Sequence, residues 1–404
     1  MKSAFSRGMN GKSSRFSVAL CALLLGATSL PAAGTPEAVF AQVISQARAA
    51  AAKPFQPNES VLPESLRQLN YDSYRKITFR KERSLWHEAD EPFQVQFFHP
   101  GYLFNHPVVI HEVVDGAVRT VPFDPKYFRY QGVAPTPPPM PGFAGLRVLY
   151  PLNQPKRLDE VISFLGTNYF RALGAGQIYG MSARGIAIDT AENLTEEFPV
   201  FREFWLCRPA AGAETMELFA FLDGPSVTGA YRFLVTPGAA TQVEIEAHLF
   251  FRQAVQALGI APLTSMFWRG ENDPLPPNDK RPEVHDSDGL LIGDTDWHPL
   301  RAVEKVTTQI FPMKNPTAFG LLQRDRDPAH YRDREAHYER RPGVRVEPLG
   351  DWGEGAIHLL QWPAGNEYND NVVVFWQPQK MPQAGENLIF KYRLHWFSHP
   401  SNKP

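Results

Sequence analysis

From position 93 to the C-terminus, apolar residues recur with a period of two in short runs, broken by turn signals about every ten residues. Such runs lie at 93–98, 107–113, 145–150, 185–189, 201–207, 216–222, 230–235, 242–250, 357–362, 372–376 and 388–397. A period of two puts alternate side chains on opposite faces of a strand. This many strands with so few helical stretches predicts an all-β chain, a large antiparallel sandwich or barrel. The Asp223-Gly-Pro-Ser-Val-Thr-Gly229 stretch marks a hairpin loop between 216–222 and 230–235.

Three stretches read as helix. An Ala-rich amphipathic segment over 37–53 follows Pro36 and is ended by Pro54, 158–165 reads as a second helix, and 62–69 as a short turn of a third. Two stretches read as loops. The proline-dense 134–142 must be extended and stiff. The segment 323–341 is so rich in Arg, Asp and Glu that it reads as solvated, either as a plain loop or as a lid over a cleft.

The first residues carry Lys2, Arg7, Lys12 and Arg15, then an apolar run from Phe16 to Ala27, then small residues through Ala33. That order is a secretory signal over 1–33, cleaved after Ala33 or after Ala41, and its apolar run is shorter than the ~20 residues that span a bilayer. Without twin arginines it implies the general secretory route and a soluble exported protein. The signal holds Cys21, leaving Cys207 alone, so no intrachain disulfide is expected and stability must come from the core. It also holds four of the 41 basic residues and none of the 43 acidic ones. The remainder is net acidic, which disfavours nucleic acid or anionic membrane as partner. Eight Trp and thirteen Tyr beside that acidity suit neutral polyhydroxyl ligands, which stack on rings and hydrogen-bond to carboxylates.

Familiar cofactor and nucleophile motifs fit poorly. Gly174-Ala-Gly176-Gln-Ile-Tyr-Gly180 has the wrong last spacing for a dinucleotide fingerprint and reads as a turn between strands. His285 beside Asp286 has no matching Cys/His cluster, so neither metal nor cofactor is expected. Gly180-Met-Ser-Ala-Arg184 lacks the second glycine of a nucleophile elbow. It either brings Tyr179 and Arg184 to a ligand surface or buries an Arg against an internal acid. In Arg202-Glu-Phe-Trp205, alternation sets Glu203 and Trp205 on one face.

Two acidic turns stand apart. Trp362-Pro-Ala-Gly-Asn-Glu367-Tyr-Asn-Asp370-Asn371 lies between strand-like runs, and Val284-His-Asp286-Ser-Asp288-Gly289 lies upstream. Asp and Asn commonly bond their own backbone in turns. The two turns also supply the pair of carboxyl groups that glycoside hydrolysis requires.

Several segments carry a resemblance: Phe143-Ala-Gly-Leu-Arg-Val-Leu-Tyr-Pro151, Gln177-Ile-Tyr-Gly-Met-Ser-Ala-Arg-Gly-Ile-Ala-Ile-Asp-Thr190, Glu197-Phe-Pro-Val-Phe-Arg-Glu-Phe-Trp205, Gly259-Ile-Ala-Pro-Leu-Thr-Ser-Met-Phe267, His285-Asp-Ser287, Gly350-Asp-Trp-Gly353 and Asn369-Asp-Asn371. From Phe40 onward the chain resembles the osmoregulated periplasmic glucan biosynthesis proteins G and D, and the missing twin-arginine signal tilts it toward G. The resemblance implies a galactose-mutarotase-like β-sandwich over 34–397 with a long cleft, and β-1,2-glucan as ligand. Relatives continue into a smaller immunoglobulin-like domain, whose linker would begin at 398–404.

It further implies an inverting endo-β-1,2-glucanase, with Asp370 as general acid, Asp286 as general base and Glu367 nearby. Burial is expected to raise the pKa of Asp370, while Asp286 stays charged on its turn. Tyr179, Arg184, Trp205, Asp351 and Trp352 are expected to bind substrate, the aromatic ones as stacking platforms. The alternative is a scaffold that holds glucan without cleaving it, for an inner-membrane glucosyltransferase or a branching partner. A sugar epimerase, suggested by the fold alone, is a poor third because fold does not carry function.

Overall fold

A computed structural model describes residues 34–57, 62–87, 91–132, 140–275 and 277–398. The expected signal over 1–33, most of the proline-dense 134–142 stretch and residues 399–404 lie outside them. Among the described residues no helix is long and apolar enough to cross a membrane.

Two large sheets pack face to face, as the period-two pattern predicts. The ten-stranded sheet runs Gln94–Phe98, Gly145–Gln154, Arg157–Leu165, Tyr169–Ala172, Ser182–Arg184, Leu258–Ser265, Val372–Pro378, Glu354–Gln361, Thr307–Lys314, with Ala187–Ile188 paired to Leu258–Ser265. The eleven-stranded sheet runs Asp296–Pro299, Gly289–Ile292, Phe319–Leu322, Gly343–Pro348, Asn387–Phe397, Thr241–Phe251, Val227–Thr236, Met216–Asp223, Val200–Cys207, Val109–Val114, Ala117–Val121. Pairing is antiparallel apart from Val200–Cys207 with Val109–Val114. Inner faces meet through large aromatic side chains: Phe164 and Phe170 of one sheet pack on Phe233 of the other at 5.1 and 5.5 Å, and Phe170 lies 6.1 Å from Trp396. Each such ring contributes roughly 1.5–3 kcal/mol by leaving water.

The expected helix over 158–165 is a strand, Arg157–Leu165, hairpinned to Gly145–Gln154. Its Leu158, Ile162 and Leu165 have helical spacing, but pairing to a long neighbouring strand overrides that weak preference. A register shift at Val148/Leu149 lets both Val161 and Ile162 be buried, which blurs the alternation.

The N-terminal helix forms over Pro36–Ala51, with Thr35 accepting from the Ala38 N–H at 3.3 Å as its cap. It lies on the outer face of the eleven-stranded sheet. There Val39, Phe40, Val43 and Ala47 pack on Trp205, Cys207, Phe219, Phe221 and Phe250. Burial pushes the Cys207 thiol up to about 12, so it acts as a small core side chain.

The outer face of the ten-stranded sheet carries no helix among the described residues. Cross-strand register lines up Gln96, Arg147 and Ser163, with Ser163 opposite Arg171, and sets Ser182 opposite Thr264 and Thr264 opposite Val373. This polar row is where loops 323–341 and 362–371 gather.

Candidate active site

Both acidic turns are anchored to the same three residues, Ser265-Met266-Phe267, at the end of strand Leu258–Ser265. The Asp286 N–H donates to Met266 O at 2.8 Å, and the Ser265 and Ser287 hydroxyls share a 2.7 Å hydrogen bond. On the other turn, the Asn371 N–H donates to Ser265 O at 3.0 Å. The buried Asn371 side chain accepts from the Phe267 N–H at 2.8 Å and donates to Phe267 O and Trp362 O at 3.0 and 2.8 Å. Asn371 thereby satisfies backbone groups that a turn would otherwise leave buried and unpaired. One short segment fixes where both acids can be.

Asp286 is the buried member, at 4% exposure. Burial raises its pKa, the Arg341 guanidinium that pairs with it pulls the other way, and the Asp370 charge raises it further. Asp370 lies at the surface, with Ser182 Oγ donating to it at 3.4 Å and the Arg171 guanidinium 4.0 Å away. The expected burial is therefore reversed. Asp370 sits near the tip of an exposed turn, whereas Asp286 is covered by a side chain from loop 323–341. The two acids share one side of the sheet, close enough for the charge on one to act on the other.

Glu367 is not a free carboxylate. It accepts from Arg281 Nη1 and from the Tyr338 hydroxyl, each at 2.5 Å, and Arg281 also holds Asp333 at 2.8 Å. Burial and the bond to Glu367 raise the Tyr338 pKa. Loop 323–341 is thus less solvated than its charge suggested. Tyr331 and Tyr338 are buried, its start is held by Asp288 accepting from the Arg324 and Asp325 N–H groups, and its end ties down both acidic turns. It rests on the 174–180 turn: Arg340 Nη2 donates to Gly176 O at 3.0 Å, and Gly180 packs against the Arg341 side chain, which a Cβ there would meet at 2.9 Å. The glycines read as a turn serve as the seat of this loop.

The remaining expected binding residues divide. Tyr179 is at the far part of the same sheet face, its hydroxyl donating to Glu160 at 2.7 Å within a network with Arg147 and Gln96. Arg184 is buried and pairs with Glu196 at 2.5 Å and Thr264 at 2.9 Å, the internal-acid alternative for this residue. Two expectations are corrected. Trp205, 7% exposed, lies on the opposite sheet beneath the N-terminal helix, stacked on His111 with centroids 5.0 Å apart. Trp352 is also 7% exposed and packs in the core on Trp376, Phe390 and Tyr392. Neither offers a ring face at the acids. Asp351 is a turn residue accepting from the Gly353 N–H at 2.8 Å.

Sequence reasoning missed Arg341, Arg281, Tyr338 and Arg171, all within reach of the acids. Only the charge density of 323–341 hinted at the first and third. It also missed Glu283, Asp325 and His330, whose ligand atoms lie within 4.8 Å of one another. Asp325 there already accepts from His330 Nδ1 at 2.6 Å and the Asp327 N–H at 2.9 Å, so the group is complete as a loop support.

Against known proteins, the family model described as "Periplasmic glucan biosynthesis protein, MdoG" matches residues 39–404. The chain belongs to that family. It is 46% identical to Glucans biosynthesis protein G of Ralstonia nicotianae over 368 residues, 90% of this chain and 73% of that one. Glucans biosynthesis protein G of Cereibacter sphaeroides is also 46% identical, over 384 residues, 93% of this chain and 71% of that one. Among solved structures, an α-galactosidase AgaA from Geobacillus stearothermophilus aligns with TM-score 0.29 at 9% identity, over 63% of this chain and 39% of that one. Membership makes glucan biosynthesis the setting in which the two anchored acids are to be read.

Proposed function

We propose that this chain is exported by its 1–33 signal to the periplasm and acts there on the β-1,2-glucan backbone as an inverting endo-β-1,2-glucanase. The observation that carries the reading is the shared anchorage of the Asp286 and Asp370 turns on Ser265–Phe267, beside the polar row of the ten-stranded sheet, in a periplasmic glucan biosynthesis family. An inverting reaction needs one carboxyl to protonate the leaving oxygen and another to take a proton from water. Asp370, facing the open side, is the proposed donor. Asp286 is the proposed base. Burial raises its affinity for a proton, which suits a base, and the Arg341 guanidinium beside it favours the charged form. Glu367 acts through its bonds to Arg281 and Tyr338, holding the Asp370 turn in place.

The test is incubation of the purified chain with linear β-1,2-glucan, sizing the products and following the anomeric configuration by NMR. Shortened chains with inverted configuration are expected, and Asp370→Asn or Asp286→Asn should each slow cleavage by about 10²–10⁴. One observation favours a second reading: Asp286 is covered by its pair with Arg341. In that reading the same face holds glucan from an inner-membrane glucosyltransferase without cutting it. Intact polymer at high protein concentration, with affinity kept in Asp370→Asn, would replace the first reading by the second.

A further inference from the structure

We infer that Tyr368 is a stacking platform that sets affinity for the glucose unit next to the linkage held at Asp370, an inference that rests on glucan being the ligand. Tyr368 is 84% exposed, the most exposed large apolar side chain among the described residues. Within that set its ring stacks on no other ring and its hydroxyl donates to no protein acceptor. Every other aromatic side chain expected to bind sugar is committed elsewhere: Trp205 to the helix, Trp352 to the core, Tyr179 to Glu160.

The exposure does not reflect a loose loop. On one side Glu367 is held by Arg281 and Tyr338, and on the other Asn371 is stitched to Phe267. The Tyr368 N–H itself donates to Asn366 Oδ1 at 2.9 Å. A pinned backbone leaves only two side-chain torsions to be fixed when a ligand docks, so little conformational freedom is lost. Two residues of chain span at most about 7 Å, which puts the Tyr368 ring within reach of a sugar that touches Asp370. An aromatic face there meets the C–H side of a pyranose while the phenol reaches a hydroxyl.

Binding of linear β-1,2-glucan oligosaccharides is to be measured by calorimetry on the Asp370→Asn chain, so that ligand is not consumed, and turnover on the active chain. Adding Tyr368→Ala should weaken Kd about tenfold, and Tyr368→Trp should restore it to within about twofold. On the active chain Tyr368→Ala should raise KM with kcat and Tm unchanged, a split that a purely structural role would not give. Affinity of Tyr368→Ala within twofold of its parent, or a loss that Trp does not repair, overturns the inference and leaves the glucan reading standing. Absence of binding by the Asp370→Asn parent removes that reading and this inference with it.

Discussion

The two outer faces of this sandwich are built alike and finished differently. On the eleven-stranded sheet, Trp205, Phe219, Phe221 and Phe250 are sealed by a 16-residue helix whose Phe40 stacks on Phe219 at 5.1 Å. On the ten-stranded sheet the corresponding side carries Gln96, Arg147, Ser163, Arg171, Ser182 and Thr264, and only loops fold over it. Apolar outer residues demand a cover, because exposed sheet of that composition would associate with other chains. Polar ones tolerate water and can exchange it for a ligand's hydroxyls. The difference teaches that the two faces divide the work: one is sealed by an apolar helix, while the other packs polar side chains under loops that carry both acids, where the proposed chemistry lies.

Substitutions on the sealed face should break stability alone. Trp205→Ala removes a ring packed between helix and sheet, and should cost roughly 3–5 kcal/mol, read as a fall in Tm or in the denaturant midpoint. Well below that Tm, its kcat and KM on glucan should match those of the parent. A Trp205→Ala chain with unchanged Tm but weakened glucan affinity would erase the division between the faces.

Asn371→Ala should act on both quantities, because Asn371 joins a loop of the loop-covered face to the strand that supports it. Its loss removes the side-chain partner of the buried Phe267 N–H, of Phe267 O and of the part-buried Trp362 O, a cost of about 2 kcal/mol. Displacement of Asp370 and Asp286 relative to each other should lower turnover by about 10². A drop in Tm without a drop in turnover would mean that the acids are held by something other than the Ser265–Phe267 anchor.

The alternating strands were legible because alternation survives wherever one side of a strand is buried and the other is not. Leu258–Ser265, the strand that anchors the site, was not read as one. All eight of its residues are buried, and Pro262 interrupts it at a register shift between Ile260 and Leu263, next to Ala261 at φ 49°. The acids were visible as motifs, but their burial was not, since the group covering Asp286 is Arg341, 55 residues away in a stretch that reads as solvent-exposed. Trp205 and Trp352 were misplaced for a related reason. An aromatic on a strand looks the same from sequence whether it faces a ligand, a helix or the core.

The smallest expected effect concerns Asp286, the buried acid of the loop-covered face. Because burial outweighs the pull of Arg341, the native Asp286 pKa is raised above its ordinary 3.8. The native chain therefore holds this proton more tightly than the unfolded chain does. The stability so gained is fully present below 3.8 and is lost as pH rises through the native value. Asn cannot ionise, so Asp286→Asn avoids that loss. The difference in Tm between Asp286→Asn and its parent should shift in the variant's favour from pH below 3.8 to neutral pH, by less than either change above. Arg341 lacks a counter-charge in the variant at every pH and in the parent at low pH, so the low-pH comparison isolates shape and the neutral one adds charge. A difference that moves against the variant as pH rises would mean that the pair with Arg341 outweighs burial. The loop-covered face would then hold its acids as ordinary ion pairs, and Asp286 would lose the basicity that its proposed role requires.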